Sequence, residues 1–150
     1  MTVKENLTLA NLRVFRLGIT LNKHKEKNSA KNMIDRLRIK TPGMNQKVKF
    51  LSGGNQQKVI IGKSLLTTPE VLILDEPSRG IDVGAKFEIY QLIDKLAREG
   101  KAIILISSEL PELLGMSHRI LVLSRGEITA ELNAEEATQE TIMKYAIANS

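Results

Sequence analysis

Cysteine is absent from this 150-residue chain, and aromatic residues are scarce, with three Phe, two Tyr and no Trp. Without cysteine there can be neither disulfide staples nor thiolate metal sites. Long apolar runs are missing too: AIILI at 102–106 and ILVL at 120–123 fall far short of the roughly 20 residues a membrane helix needs. Met1 is followed by polar residues and not by a charged stretch with an apolar core, so no secretory signal is expected and the expected compartment is the cytoplasm. What is present suits one globular domain: 42% hydrophobic and 26% charged residues, enough to bury a sizeable core, with no sign of disorder.

The net charge of +5 is unevenly spread. Residues 1–50 hold 12 Lys/Arg against 3 Asp/Glu, whereas 51–150 hold 10 against 14. A basic segment of this kind can be a solvated helical surface, a contact with a membrane or a membrane partner, or a nucleic-acid surface. It holds few aromatics beside Phe15 on which a base could stack, and nucleic acid is not expected.

Leu7, Leu9, Leu12 and Val14 sit in a helix-compatible segment that Gly18 interrupts. A second helix is expected over about 26–38, with Ala30, Met33, Ile34 and Leu37 on one face, ended by Thr41, Pro42 and Gly43. Ser52 is placed to cap a helix carrying Val59, Ile60, Ile61, Leu65 and Leu66, which Pro69 closes. Beyond Pro69 strands alternate with helices. A buried strand over 71–74, a helix over 84–98 stopped by Gly100, a strand over 102–106, a short helix over 109–114, a strand over 120–123, a turn at Arg125 and Gly126, an edge strand over 127–132 and a helix over 135–147 are expected. The pattern predicts an α/β fold: a helical, basic part over 1–68, then a mostly parallel sheet with flanking helices over 69–150. Ligands of such sheets gather beyond the strands' carboxyl ends, where Asp75, Glu76, Ser107 and Ser108 fall.

Two features carry chemistry. In LSGGNQQK at 51–58, Ser52, Gly53, Gly54 and Asn55 open a helix, where unpaired backbone N–H groups can approach a phosphate. In VLILDEP at 71–77 an apolar strand delivers two carboxylates. Asp75 is placed to hold magnesium, through water, and Glu76 to orient or deprotonate an attacking water. The phosphate-cradling loop G-x-x-x-x-G-K-[ST] is missing. Gly62, Lys63 and Ser64 imitate its end, but position 57 holds Gln57 where the first glycine should be, so these residues are read as the interior of a helix. His24 and His118 are read as solvated.

LSGGNQQK, VLILDEP, SRGID at 78–82 and ISSELPE at 106–112, in that order and spacing, resemble the signature, Walker B, D-loop and switch regions of an ATP-binding-cassette (ABC) ATPase. The wordings GGNQQKVIIGK and EPSRGIDVGAKFEIYQLI are similar to the second cassette of double-cassette ATPases of bacterial monosaccharide importers, of galactose/methyl-galactoside or ribose type. The resemblance implies a chain that starts partway through its cassette, after the Walker A and Q-loop, with ATP and Mg2+ as cofactors. It implies that Ser52, Gly53, Gly54 and Asn55 would touch the γ-phosphate of an ATP held by a partner cassette with an intact Walker A. Asp75 and the catalytic Glu76 would serve the chain's own site, with Asp82 in the D-loop and Ser108 at the switch position. It further implies membrane permease subunits as partners, a sugar-binding protein as an indirect one, and a peripheral place on the cytoplasmic face of the plasma membrane. On its own the chain is expected to be inactive and to self-associate. Three positions depart from the family pattern: Ser108 stands where a histidine is usual, Asn55 where glutamine is, and Arg79 where serine is common. A non-transport ABC protein acting on nucleic acid, and a cassette-pairing module without catalysis, are the alternatives.

Overall fold

A computed structural model describes residues 1–17 and 20–147; Gly18, the expected interruption of the first segment, lies outside the described residues. The elements run α1 (Val3–Thr8), β1 (Arg16–Leu17), β2 (Thr20–Leu21), α2 (Lys23–Arg36), α3 (Gly53–Leu65), β3 (Val71–Asp75), α4 (Val83–Arg98), β4 (Ala102–Ile106), α5 (Leu110–Met116), β5 (Arg119–Ser124), β6 (Glu127–Asn133) and α6 (Gln139–Ala146), with 3-10 turns at Leu9–Phe15 and Val48–Phe50. They form two compact units, one of Met1–Leu72 with Pro77–Ile104, the other of Ile73–Glu76 with the residues from Leu105 onward.

The first unit is built on helix crossings. Thr2 caps α1 through a reciprocal pair of bonds with Glu5. Asn22 caps α2, its Oδ1 accepting from the Lys25 N–H at 2.9 Å, which starts that helix three residues before the expected position 26. Ala30, Met33 and Leu37 are buried on the expected face. Glu26 joins them: its carboxylate accepts from the Thr8 hydroxyl at 3.0 Å and pairs with Lys4 at 3.2 Å, so α1 and α2 share a satisfied polar link within their apolar contact. On α3 the buried residues are Gly54, Lys58, Val59, Ile61, Gly62 and Leu65. Gly62, Lys63 and Ser64 lie inside this helix as expected. A Cβ on Gly62 would stand 2.7 Å from Leu7, 2.8 Å from Leu37 and 3.1 Å from Met33, so the absence of a side chain lets α3 approach α1 and α2 at once.

The second unit centres on the antiparallel β5–β6 hairpin, whose Ile120 and Val122 pack with Ile142 of α6. Arg125 and Gly126 both have positive φ, 50° and 85°, as a two-residue hairpin turn matching the strand twist requires. Helix α6 begins at Gln139 and not at 135, because Thr138 and Thr141 exchange capping bonds there.

Strands β3 and β4 pair with each other. The Ala102 N–H donates to the Glu70 carbonyl at one end and the Glu76 N–H to the Ile106 carbonyl at the other, an advance in one sequence direction, as in a parallel pair. The expectation of a buried strand over 71–74 holds for one face and is corrected for the other: Leu72 and Leu74 are buried, but Val71 and Ile73 are 51% and 63% exposed. Alternate side chains of a strand point to opposite faces, and only one face of β3 is covered.

The contrast between two helical glycines tests this account. Gly62→Val should lower stability by about 1–3 kcal/mol through overpacking. Gly115→Ala in α5, where a Cβ meets nothing within 4 Å, should raise it by roughly 0.4–1 kcal/mol. Urea midpoints at constant m-value measure both.

Candidate nucleotide site

The signature segment lies in the first unit. Ser52 occupies the N-cap position of α3, φ −61° and ψ 155°, yet its hydroxyl makes no capping bond. It accepts instead from the Asn55 Nδ2 at 2.8 Å, so Ser52 holds the expected cap position without a side-chain bond to the helix start. Asn55 is engaged at both ends, its Oδ1 accepting from the Lys40 N–H at 2.7 Å, and Gln56 donates to the Leu51 carbonyl. With the hydroxyl turned to Asn55, the first N–H groups of α3 receive no side-chain cap, the condition under which a helix start can take an anion.

The two glycines also answer a packing demand. A Cβ on Gly53 would lie 2.9 Å from Ile81, and one on Gly54 2.6 Å from the Cβ of Ala85. Helix α3 therefore meets the 80–85 segment at a distance that excludes side chains. Asp82 stands beside this contact as the N-cap of α4, its Oδ1 accepting from the Ala85 N–H at 2.9 Å. Ser78 in the same loop is fully buried, and its hydroxyl has no partner.

Lys58, four residues from both Gly54 and Gly62, was overlooked by motif reading although it falls on the buried stripe of α3. Its side chain is 6% exposed. The ammonium donates to Glu88 of α4 at 2.7 Å and to the Arg38 carbonyl at 3.3 Å, and Glu88 also accepts from Lys40 at 3.1 Å. The two lysines hold the Glu88 carboxyl below its ordinary value near 4.5, the Lys58 bond being the larger cause.

The carboxylate pair belongs to the second unit by its placement at the end of β3. Asp75 is exposed, and its side chain makes no hydrogen bond or ion pair among the described residues. Glu76 takes a positive φ of 47°, a left-handed conformation uncommon for a residue with a side chain. Its Oε1 accepts from the Ser108 backbone N–H at 2.9 Å, so the structure brings Glu76 and Ser108 together through main chain and not through the serine hydroxyl. Ser107 sits beside them, its hydroxyl donating to Glu112 and accepting from the Glu109 N–H. His24 and His118 are exposed and lie outside these segments. No group of three or more His, Asp or Glu that could hold a metal occurs among the described residues. A divalent ion at Asp75 would therefore take most of its ligands from water and phosphate, a habit that suits Mg2+.

The ABC transporter family model matches residues 1–79, just over half of the chain. The chain belongs to the ABC transporter family. It is 54% identical to the ribose import ATP-binding protein RbsA of Clostridium tetani, over 100% of this chain and 30% of that protein. It is 56% identical to the xylose import ATP-binding protein XylG of Moorella thermoacetica, over 97% of this chain and 29% of that protein. The chain thus spans under a third of the length of these relatives. Among solved structures, the dimeric MJ0796, a bacterial ABC transporter cassette, superposes with a TM-score of 0.74 at 25% identity, covering 89% of this chain and 57% of that one. The α/β fold is therefore that of part of an ABC ATPase cassette, and nucleotide binding is the property of that family. No helix among the described residues is long and apolar enough to cross a membrane.

The buried lysine supplies a pH-dependent prediction. At neutral pH Glu88→Gln should cost about 1–3 kcal/mol, because the Lys58 ammonium stays buried without its counter-charge. A carboxyl depressed by folding contributes stability above its unfolded value and loses it as pH falls through the folded one. Denaturation midpoints of the wild type and Glu88→Gln should therefore converge as pH drops below the ordinary carboxylate value near 4.5.

Proposed function

We propose that this chain is the later part of the second cassette of a double-cassette ATPase subunit that energises import of a monosaccharide, with residues 1–68 as its helical signature part and 69–150 as the second half of its catalytic core. The observation that carries the reading is identity above one half, along nearly the whole chain, to ATP-binding proteins named for ribose and xylose import. The site geometry supports it: an uncapped helix start behind Ser52, and a carboxylate pair where β3 ends.

In the intact subunit ATP and water give ADP and phosphate. Bound Mg2+ would offset phosphate charge, with Asp75 holding it through water. Glu76 orients the attacking water in the chain's own site. Ser52, Gly53, Gly54 and Asn55 complete the site of the other cassette by presenting N–H groups to a γ-phosphate across the pair, and Asp82 fixes the D-loop between them. Ser108 lacks an imidazole, so this cassette acts mainly as signature donor and turns over more slowly in its own site. The subunit works on the cytoplasmic face of the membrane against permease subunits, with a sugar-binding protein as an indirect partner.

In the full-length subunit, Gly54→Asp should abolish transport, since it places a carboxylate both against Ala85 and where phosphate is expected; Glu76→Gln should reduce it less. Sugar uptake and ATPase rate measure both, and loss of transport in Glu76→Gln with retention in Gly54→Asp would reverse the assignment of roles. The chain by itself leaves Val71, Ile73, Ile104 and Ile106 about half exposed or more, an apolar exposure that favours association. Light scattering at high concentration should give a mass above the monomer, and a monodisperse monomer would contradict this.

A further inference from the structure

Glu112 is a buried carboxyl group that the proposed reaction does not use. It is 3% exposed. One oxygen accepts from the Ser107 hydroxyl, and the other, Oε1, is buried without a partner. Leaving a carboxyl oxygen unsatisfied costs free energy, and an apolar residue at the same position of α5 would avoid that cost. The placement of Ser107 is what the carboxyl secures. The Ser107 hydroxyl is used in both senses: it donates to Glu112 and accepts from the Glu109 N–H at 3.0 Å. The peptide between those two contacts belongs to Ser108, whose N–H donates to the Glu76 Oε1 at 2.9 Å. Glu76 is also tied through its own N–H, which donates to the Ile106 carbonyl at 2.8 Å.

We propose that Glu112 is a positioning residue: through the Ser107 hydroxyl it fixes the 107–109 turn, and that turn holds the Glu76 carboxylate by the Ser108 N–H. The bond engages a single oxygen of Glu76 and supplies a neutral donor, which restricts the carboxylate's rotamers without adding a charge beside it. The inference rests on the reading of Glu76 as the water-orienting group.

Residue-resolved hydrogen exchange on the whole subunit tests it. The amide of Ser108 should exchange at least about tenfold faster in Ser107→Ala and Glu112→Ala, while the amides of β5 keep their protection. Ser107→Thr, which retains the hydroxyl, and Glu112→Gln, which retains an acceptor, should stay near the wild type, and they keep the test decisive if Glu112→Ala fails to fold. Unchanged Ser108 exchange in Ser107→Ala would overturn the proposal. So would an equal acceleration throughout β5, which would reduce Glu112 to a packing role, or a Ser107→Thr variant as impaired as Ser107→Ala. ATP turnover separates the two readings. If Glu76→Gln leaves turnover unchanged, the catalytic assignment of Glu76 fails while the exchange result stands; if Glu76→Gln lowers turnover but Ser108 exchange is normal in both alanine variants, only the present inference fails.

Discussion

The first unit depends on how closely α3 can lie against its neighbours. Gly54 meets Ala85 at one end of the helix and Gly62 meets Leu7, Met33 and Leu37 at the other, so both crossings are made at backbone distance. Between them, on the same stripe, Lys58 reaches Glu88. A buried ammonium is costly unless paired and hydrogen-bonded, and here the carboxylate and the Arg38 carbonyl meet that demand. The glycine contact sets the distance between α3 and α4, and the ion pair adds to the register that this contact imposes. A slide along the helix axis would set a side chain against Ala85 in place of Gly54 and part Lys58 from Glu88, so packing and charge resist it together.

The start of α3 inherits this constraint. Asn55 accepts from the backbone of Lys40, and Lys40 also pairs with Glu88, so the residue that turns the Ser52 hydroxyl away from the helix start belongs to the same network as the buried lysine. The uncapped N–H groups of α3 are thus a consequence of where Asn55 is held. An ordinary serine cap would satisfy one of these donors internally and weaken the helix start as an anion site.

Much of this was legible in the sequence, and the part that was not has physical reasons. Element types after Pro69 follow from alternating apolar runs and from Gly100 and Gly126 at positive φ, and α6 was misplaced only because the Thr138 capping pair outweighs the helix-compatible residues before it. The carboxylates at the end of β3 were visible as a pair after an apolar run. That only one face of this run is buried is not legible, since VLIL looks the same whether one face or both are covered. Lys58 and Glu88 lie thirty residues apart, and no local pattern announces a long-range pair. Ser52 holds the cap position that the sequence predicts, but without a capping bond, because Asn55 three residues later engages the hydroxyl.

Glu76 shows why the chemistry of the site cannot be separated from its backbone. A residue with a side chain in the left-handed region carries strain of order 1 kcal/mol or more, and glycine would relieve it at this position. The strained conformation at φ 47° nonetheless coexists with a main-chain bond to Ile106 and a side-chain bond to Ser108, both from the end of β4 and the turn after it. Extended backbone at residue 76 would continue the strand and send the following side chains to alternate faces; the left-handed turn ends it instead. The carboxylate therefore faces a donor that belongs to the adjacent strand's exit, and its orientation is set by the pairing of β3 with β4 before any ligand arrives. Because that donor is a main-chain N–H, it leaves the carboxylate only if the turn itself moves.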